Sequence, residues 1–158
     1  MTASLELGRW YLVYSKRRRE EVVQFYLERK GLVVFFPRLL LQPFTQRPRI
    51  VPLFPNYLFV RIHKPADYDI VRWSSGVVRV VDFYGHPAPL DEEVVEFLRQ
   101  QVTPAGIIAM NSALTVRNKV ENENGRFVSI MNDLLNPHNS RDRVGVLMQL
   151  LSCQHMLG

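Results

Sequence analysis

Residues 52–60 read Pro-Leu-Phe-Pro-Asn-Tyr-Leu-Phe-Val. Two prolines bracket Leu53-Phe54 and lead directly into an aromatic strand. Pro55 restricts the approach by locking its own backbone near a φ of about −65°. From Tyr57 to Ile62 the side chains alternate, with Tyr57, Phe59 and Arg61 on one face and Leu58, Val60 and Ile62 on the other. Both faces of this strand are apolar. If helices cover one, the other must be covered by something else or serve as a docking surface.

Working outward, Trp10–Ser15 is aromatic and β-branched and predicts a buried strand. Glu20–Lys30 carries Val22, Val23, Tyr26 and Leu27 at helical spacing and stops at Gly31. Leu32–Phe36 predicts a second strand. Pro43, Pro48, Pro52 and Pro55 exclude regular structure from 43–55, with Thr45–Arg49 as an exposed hairpin-like loop. After the Tyr57–Ile62 strand, Pro65–Trp73 predicts a short helix, Val77–Tyr84 a fourth strand and Gly85–Pro89 a turn. Asp91 then caps a helix bearing Val94, Val95 and Leu98, with Glu92 and Glu93 in its first turn. The order β-α-β-β-α-β plus a terminal helix defines an α+β, ferredoxin-like antiparallel plait. The expected division is a plait domain over 1–103, a linker over 104–113 and a small C-terminal unit over 114–158.

That last unit holds two apolar helical stripes. Phe127, Ile130, Met131, Leu134 and Leu135 follow one, and Val144, Leu147, Met148 and Leu151 the other. The turn-rich stretch 136–142 separates them, so the expectation is an α-helical hairpin. Short helices of this kind are marginal alone and need an apolar surface to cover. The face bearing Tyr57 and Phe59 is available.

At 158 residues, with 47% hydrophobic and 22% charged residues, the chain is globular and too small for a large multidomain enzyme. Its apolar runs fall short of the roughly 20 residues of a membrane span, and no secretory leader pattern is present. The single Cys153 cannot form an internal disulfide, which fits a reducing cytosol. The formal charge is +5 and is uneven. Residues 1–103 hold 15 Lys/Arg against 11 Asp/Glu, and 104–158 hold 5 against 4. Lys16-Arg17-Arg18-Arg19 forms one block, and Arg29 to Ala66 contains seven basic residues and no acidic one. Such a distribution suits a polyanionic partner as well as a solvated surface.

Catalytic chemistry finds no constellation. His63, His86, His138 and His155 lack metal-ligand spacing, there is no phosphate-cradling glycine loop, and Asp91, Glu92 and Glu93 are explained as a helix start. A non-enzyme without cofactor or metal is expected.

The nonapeptide 52–60, together with WYLVYSKRR over 10–18 and SSGVVRVVDFYG over 74–85, resembles the N-terminal (NGN-type) domain of NusG-type transcription elongation factors. Within that family the similarity is greatest to the RfaH-like antiterminator paralogues, and it covers residues 9–103. The resemblance implies that Leu53, Phe54, Tyr57 and Phe59, with Val80 and Phe83 adding to them, form a hollow for the clamp helices of bacterial RNA polymerase. It implies that Lys16 and Arg17, extended by Arg18 and Arg19, contact the displaced non-template DNA strand. Residues 117–135 resemble a worn copy of the family's KOW-type barrel, with Ser129 where a second glycine is expected, so a KOW-like β-barrel is the alternative to the helical hairpin. By analogy with autoinhibited RfaH, Phe127, Ile130, Met131, Leu134, Val144, Leu147, Met148 and Leu151 would form the interdomain contact. Release and refolding of that unit, with a possible ribosome contact, would complete a fold switch.

Two departures stand out. Asp67-Tyr68-Asp69 replaces the histidine-threonine cluster that touches the opposite polymerase jaw in RfaH, and Ser75 replaces an arginine before the glycine equivalent to Gly76. The implied protein is a monomeric, cytoplasmic bacterial factor that suppresses pausing or termination. The competing expectation is an RNA-binding module whose sheet stacks bases on Tyr57 and Phe59, although the glycine-rich aromatic strand motif of RNA-recognition domains is missing. A small ferredoxin-like enzyme or ligand sensor ranks below both, because the acid-base and metal sets are missing.

Overall fold

The computed structural model describes residues 5–41, 47–109 and 140–156, with side chains of the last segment described over 143–152. The strands are β1 (Arg9–Ser15), β2 (Val33–Phe35), β3 (Arg38–Leu41), β4 (Arg49–Pro52), β5 (Tyr57–Ile62), β6 (Val77–Val80), β7 (Asp82–Phe83), β8 (His86–Pro87), β9 (Pro89–Leu90) and β10 (Ile107–Ala109). The helices are α1 (Glu20–Arg29), α2 (Pro65–Arg72), α3 (Glu92–Gln101) and α4 (Ser140–Met156).

The main sheet runs β2-β5-β1-β6, every pairing antiparallel. β9 pairs with Trp10 and Tyr11 of β1 and so continues the edge that β6 begins. This order and the two intervening helices are consistent with an NGN-like α+β domain. The alternation within the strands sorts the core into two layers. Tyr11, Val13, Leu58, Val60 and Ile62 pack with Val23 and Leu27 of α1 and Val71 of α2. Trp10, Leu12 and Phe59 point the other way, into a layer with Leu53, Phe54, Leu90, Val94, Val95 and Leu98. Leu147, Leu150 and Leu151 of α4 belong to this second layer. A fully buried leucine contributes about 1.5–3 kcal/mol, so three of them hold α4 to the sheet.

Four expectations need correction. β4 lies inside the proline-rich segment and pairs antiparallel with β3 from Arg38↔Pro52 to Leu41↔Arg49. The prolines permit this because β4 is an edge strand and Pro52 is its last residue. Within the expected linker, β10 pairs in parallel with Arg38–Leu40 of β3. The long strand expected over Val77–Tyr84 ends at Val80, and β7 and β8 form a separate hairpin, with Phe83 paired to His86. Tyr84 and Gly85 both have positive φ, the requirement of a two-residue type I′ turn. Asp91 occupies the N-cap of α3 in extended geometry, but its side chain makes no capping hydrogen bond and lies 3.6 Å from Arg9.

Candidate functional site

The nonapeptide is built around a tight turn. The Tyr57 N–H donates to the Phe54 carbonyl at 3.1 Å, and Asn56 has a φ of 75°. Proline at the second position and a left-handed asparagine at the third define a type II turn. The turn is tied to the end of β1 and the start of α1 by three contacts. The Ser15 N–H donates to the Asn56 carbonyl at 2.7 Å, and the Asn56 side-chain amide returns a bond to the Ser15 carbonyl at 3.1 Å. The carboxylate of Glu20, the first residue of α1, accepts the Asn56 N–H at 3.2 Å.

On the α4-facing side of the sheet, five of the six residues expected to line a hollow are neighbours in one packed layer. Leu53, Phe54 and Phe59 are fully buried, and Tyr57 and Phe83 are half-buried in the same layer. The Phe54 and Phe59 rings meet at 5.9 Å, and Phe35 adds a second contact to Phe59 at 5.7 Å. Val80 is not among them. It pairs with Val13 and packs under α1 and α2, whereas Val81 reaches the aromatic layer. Tyr14 and Arg79 were missed by sequence reasoning. Tyr14 meets Tyr57 at 5.1 Å, and the Arg79 guanidinium lies 5.9 Å from the Tyr14 ring centroid. The parity of Tyr14 with Trp10 and Leu12 was the available signal. Burial, and secondarily the neighbouring Tyr14, raise the Tyr57 hydroxyl above its ordinary pKa, against a smaller lowering by Arg79.

α4 lies directly over this layer. Leu147 and Leu151 are buried, and Val144 and Met148 pack at its margin, so these four interdomain candidates share one helical face. Phe127, Ile130, Met131 and Leu134 lie outside the described residues. At the start of the same face sits Arg143, only 3% exposed. Its Nε donates to the Leu53 carbonyl at 2.9 Å. Burial pulls its guanidinium pKa down.

Lys16, Arg17, Arg18 and Arg19 form the exposed turn between β1 and α1. The Lys16 N–H donates to the Gly76 carbonyl at 2.8 Å, which joins this turn to the one between α2 and β6. Through Ser15 and Asn56 it also adjoins the nonapeptide. The basic block and the aromatic layer are thus attached to the same end of the sheet. Asp67 serves the fold itself, since its buried carboxylate accepts the N–H groups of His63 and Lys64 at 3.0 and 3.2 Å. Tyr68 is half-buried against the layer of α1 and α2, and Asp69 is exposed. Among the described residues, no group of three or more His, Cys, Asp or Glu is placed to hold a metal ion. No described helix is long and apolar enough to cross a membrane.

The chain thus combines an NGN-like plait with an aromatic layer and an adjoining basic turn. The family described as transcription termination factor NusG matches residues 8–99, and the chain belongs to that family. A solved structure concerning domain interaction in Thermotoga maritima NusG is 26% identical, with 55% of this chain and 52% of that chain covered, at a TM-score of 0.41. The chain therefore spans about half the length of that relative.

Proposed function

We propose that this protein is an RfaH-like elongation and antitermination factor of the NusG family, held in a covered state by its own C-terminal helix. Leu53, Phe54, Tyr57, Phe59 and Phe83 would receive the clamp helices of bacterial RNA polymerase, an apolar helix-in-groove contact. Lys16, Arg17, Arg18 and Arg19 would hold the displaced non-template strand, and the pair of contacts would suppress pausing or termination. Val80 has no part in this reading, since it lies on the opposite face.

One observation carries the proposal. The helical face formed by Leu147, Leu150 and Leu151 occupies the layer that contains Leu53, Phe54 and Phe59. A partner helix needing those side chains must displace α4, so the covering is inhibitory. The same burial disfavours the base-stacking alternative, because Phe59 offers no free ring face in this arrangement.

The test compares the full chain with a Leu147→Glu, Leu151→Glu variant in binding to purified bacterial RNA polymerase. Two carboxylates in the apolar layer are costly to bury and release α4. Affinity is expected to rise by at least about 10-fold, equivalent to about 1.4 kcal/mol of relieved competition. Equal affinity would remove autoinhibition, and absence of binding by both would remove the polymerase reading.

A further inference from the structure

Two tryptophans occupy opposite environments. Trp10 is 1% exposed, whereas Trp73 is 75% exposed at the end of α2. An indole left this open loses the hydrophobic gain of burial. The Arg72 guanidinium lies 4.9 Å from the Trp73 ring centroid, and the Trp73 backbone N–H closes α2 on the Asp69 carbonyl at 3.1 Å.

Its position is set by the turn it begins. Trp73-Ser74-Ser75-Gly76 leads into β6, and Ser74 anchors the turn by donating its hydroxyl to the Ile70 carbonyl at 2.6 Å. Gly76 has a φ of 90°, and a Cβ there would stand 2.9 Å from Val23 Cγ2 and 3.4 Å from Arg19 Cβ. The turn therefore lies close against the start of α1 and the basic block. Two residues, Ser74 and Ser75, separate Trp73 from Gly76, so the three Cα steps between them reach at most about 11 Å. Residues 16–19 and 72–76 together contain five basic side chains and no acidic one.

We infer that Trp73, backed by Arg72, is a stacking platform for an unpaired base of single-stranded DNA whose phosphates lie along Lys16–Arg19. The inference rests on the proposed strand contact and specifies what it recognises. Duplex phosphates would satisfy the four cations, but a duplex keeps its base faces stacked inside. An exposed indole beside a cationic turn favours the open strand, which presents a π-face and a charged backbone together. Arg72 holds the ring and adds a positive charge at the site.

The two tryptophans also supply the readout. Full-length protein is titrated with a single-stranded oligothymidylate of about 12 nucleotides, with the same sequence in duplex form, and with oligouridylate. Intrinsic fluorescence is followed, in which buried Trp10 serves as the internal reference. The expected result is quenching of the Trp73 component by the single-stranded DNA and not by duplex. Trp73→Ala should weaken that binding by about 5- to 100-fold, the loss of one stacked base, and Trp73→Phe should recover part of it. The salt dependence should stay with Lys16–Arg19 and be unchanged in Trp73→Ala.

Binding of the oligonucleotide with unchanged fluorescence and equal affinity in Trp73→Ala would overturn the platform while sparing the strand contact. Loss of binding in a Lys16→Ala, Arg17→Ala, Arg18→Ala, Arg19→Ala variant would confirm that contact independently. No binding by the wild-type chain would overturn both, and tighter binding with deeper quenching by oligouridylate would overturn the assignment to DNA.

Discussion

Asn56 shows how one residue joins local and distant structure. Its left-handed φ allows the type II turn, its amide and carbonyl both bond Ser15, and its N–H is held by Glu20. Alanine retains the backbone N–H and C=O but loses the side-chain amide and fits φ of 75° poorly. Asn56→Ala should therefore destabilise the protein by about 1–3 kcal/mol in urea unfolding. Asn56→Gly should cost less, because glycine accepts the conformation and forfeits only the side-chain bond to Ser15. The turn itself was legible, since proline followed by asparagine before an apolar run is a turn signal with a mechanism. The partners were not, because Ser15 and Glu20 lie some forty residues away and nothing local specifies that meeting. Arg143 was equally hidden. Its helical position is readable from the spacing of Leu147 and Leu151, but its burial against the Leu53 carbonyl depends on how α4 docks.

At the scale of elements, periodicity identified β1, α1, β5 and α2 to within a residue or two, and the start of α3, because each of the first four combines a clear apolar pattern with a definite boundary. It failed where pairing overrides composition. Pro48 and Pro52 argued against a strand, yet β4 needs only β3 as a neighbour and takes it at a sheet edge. β10 is three residues of Ile-Ile-Ala in a segment read as linker, and its strand character comes from docking in parallel on β3. The sequence Val80-Val81 straddles both layers, so a continuous strand could not show which valine joins the aromatic side. The register irregularity at Tyr14/Ser15 adds to that ambiguity. The α2–β6 turn makes an element-level prediction. Gly76→Ala places a methyl group 2.9 Å from Val23 Cγ2 at a φ that alanine avoids. It should destabilise by about 1–3 kcal/mol and speed amide hydrogen exchange at Lys16, whose N–H bonds the Gly76 carbonyl.

Across the described residues, the central sheet is packed on both faces, with a buried phenol in one layer and a half-buried one in the other. Tyr11 is fully buried, with its hydroxyl donating to the Glu6 carbonyl at 3.0 Å and accepting the Glu6 N–H at 2.9 Å. Burial is the main cause that raises its pKa above 10.0, and Tyr57 is raised in the same direction for the same first reason. The folded state therefore prefers both phenols neutral. Their contribution is complete below the unfolded value near 10 and is lost as pH rises through the higher folded values. Urea midpoints should hold steady from about pH 8 to 10 and fall beyond it. Tyr11→Phe should flatten part of that fall, and an equally steep fall in this variant would assign the alkaline loss elsewhere. The two-layer core also accounts for what the sequence could and could not say about the candidate site. The alternation of β5 left Tyr57 and Phe59 either to be covered or to serve as a docking surface, with the apolar stripe over 144–151 as a candidate cover. The choice between the two needed the three-dimensional arrangement, in which Leu147 and Leu151 share that layer.

The buried guanidinium of Arg143 gives that cover an internal opposition. The leucines of α4 gain by leaving water, while the cation beside them gives up hydration and receives a carbonyl in exchange. Desolvation of a charge costs several kcal/mol, and one charge-assisted bond returns only about 1.5–3. The helix is thus held and pushed off by adjacent residues of the same face. A competitor for the aromatic layer does not have to match the full adhesion of three leucines. It has to exceed only what remains after Arg143 has worked against them.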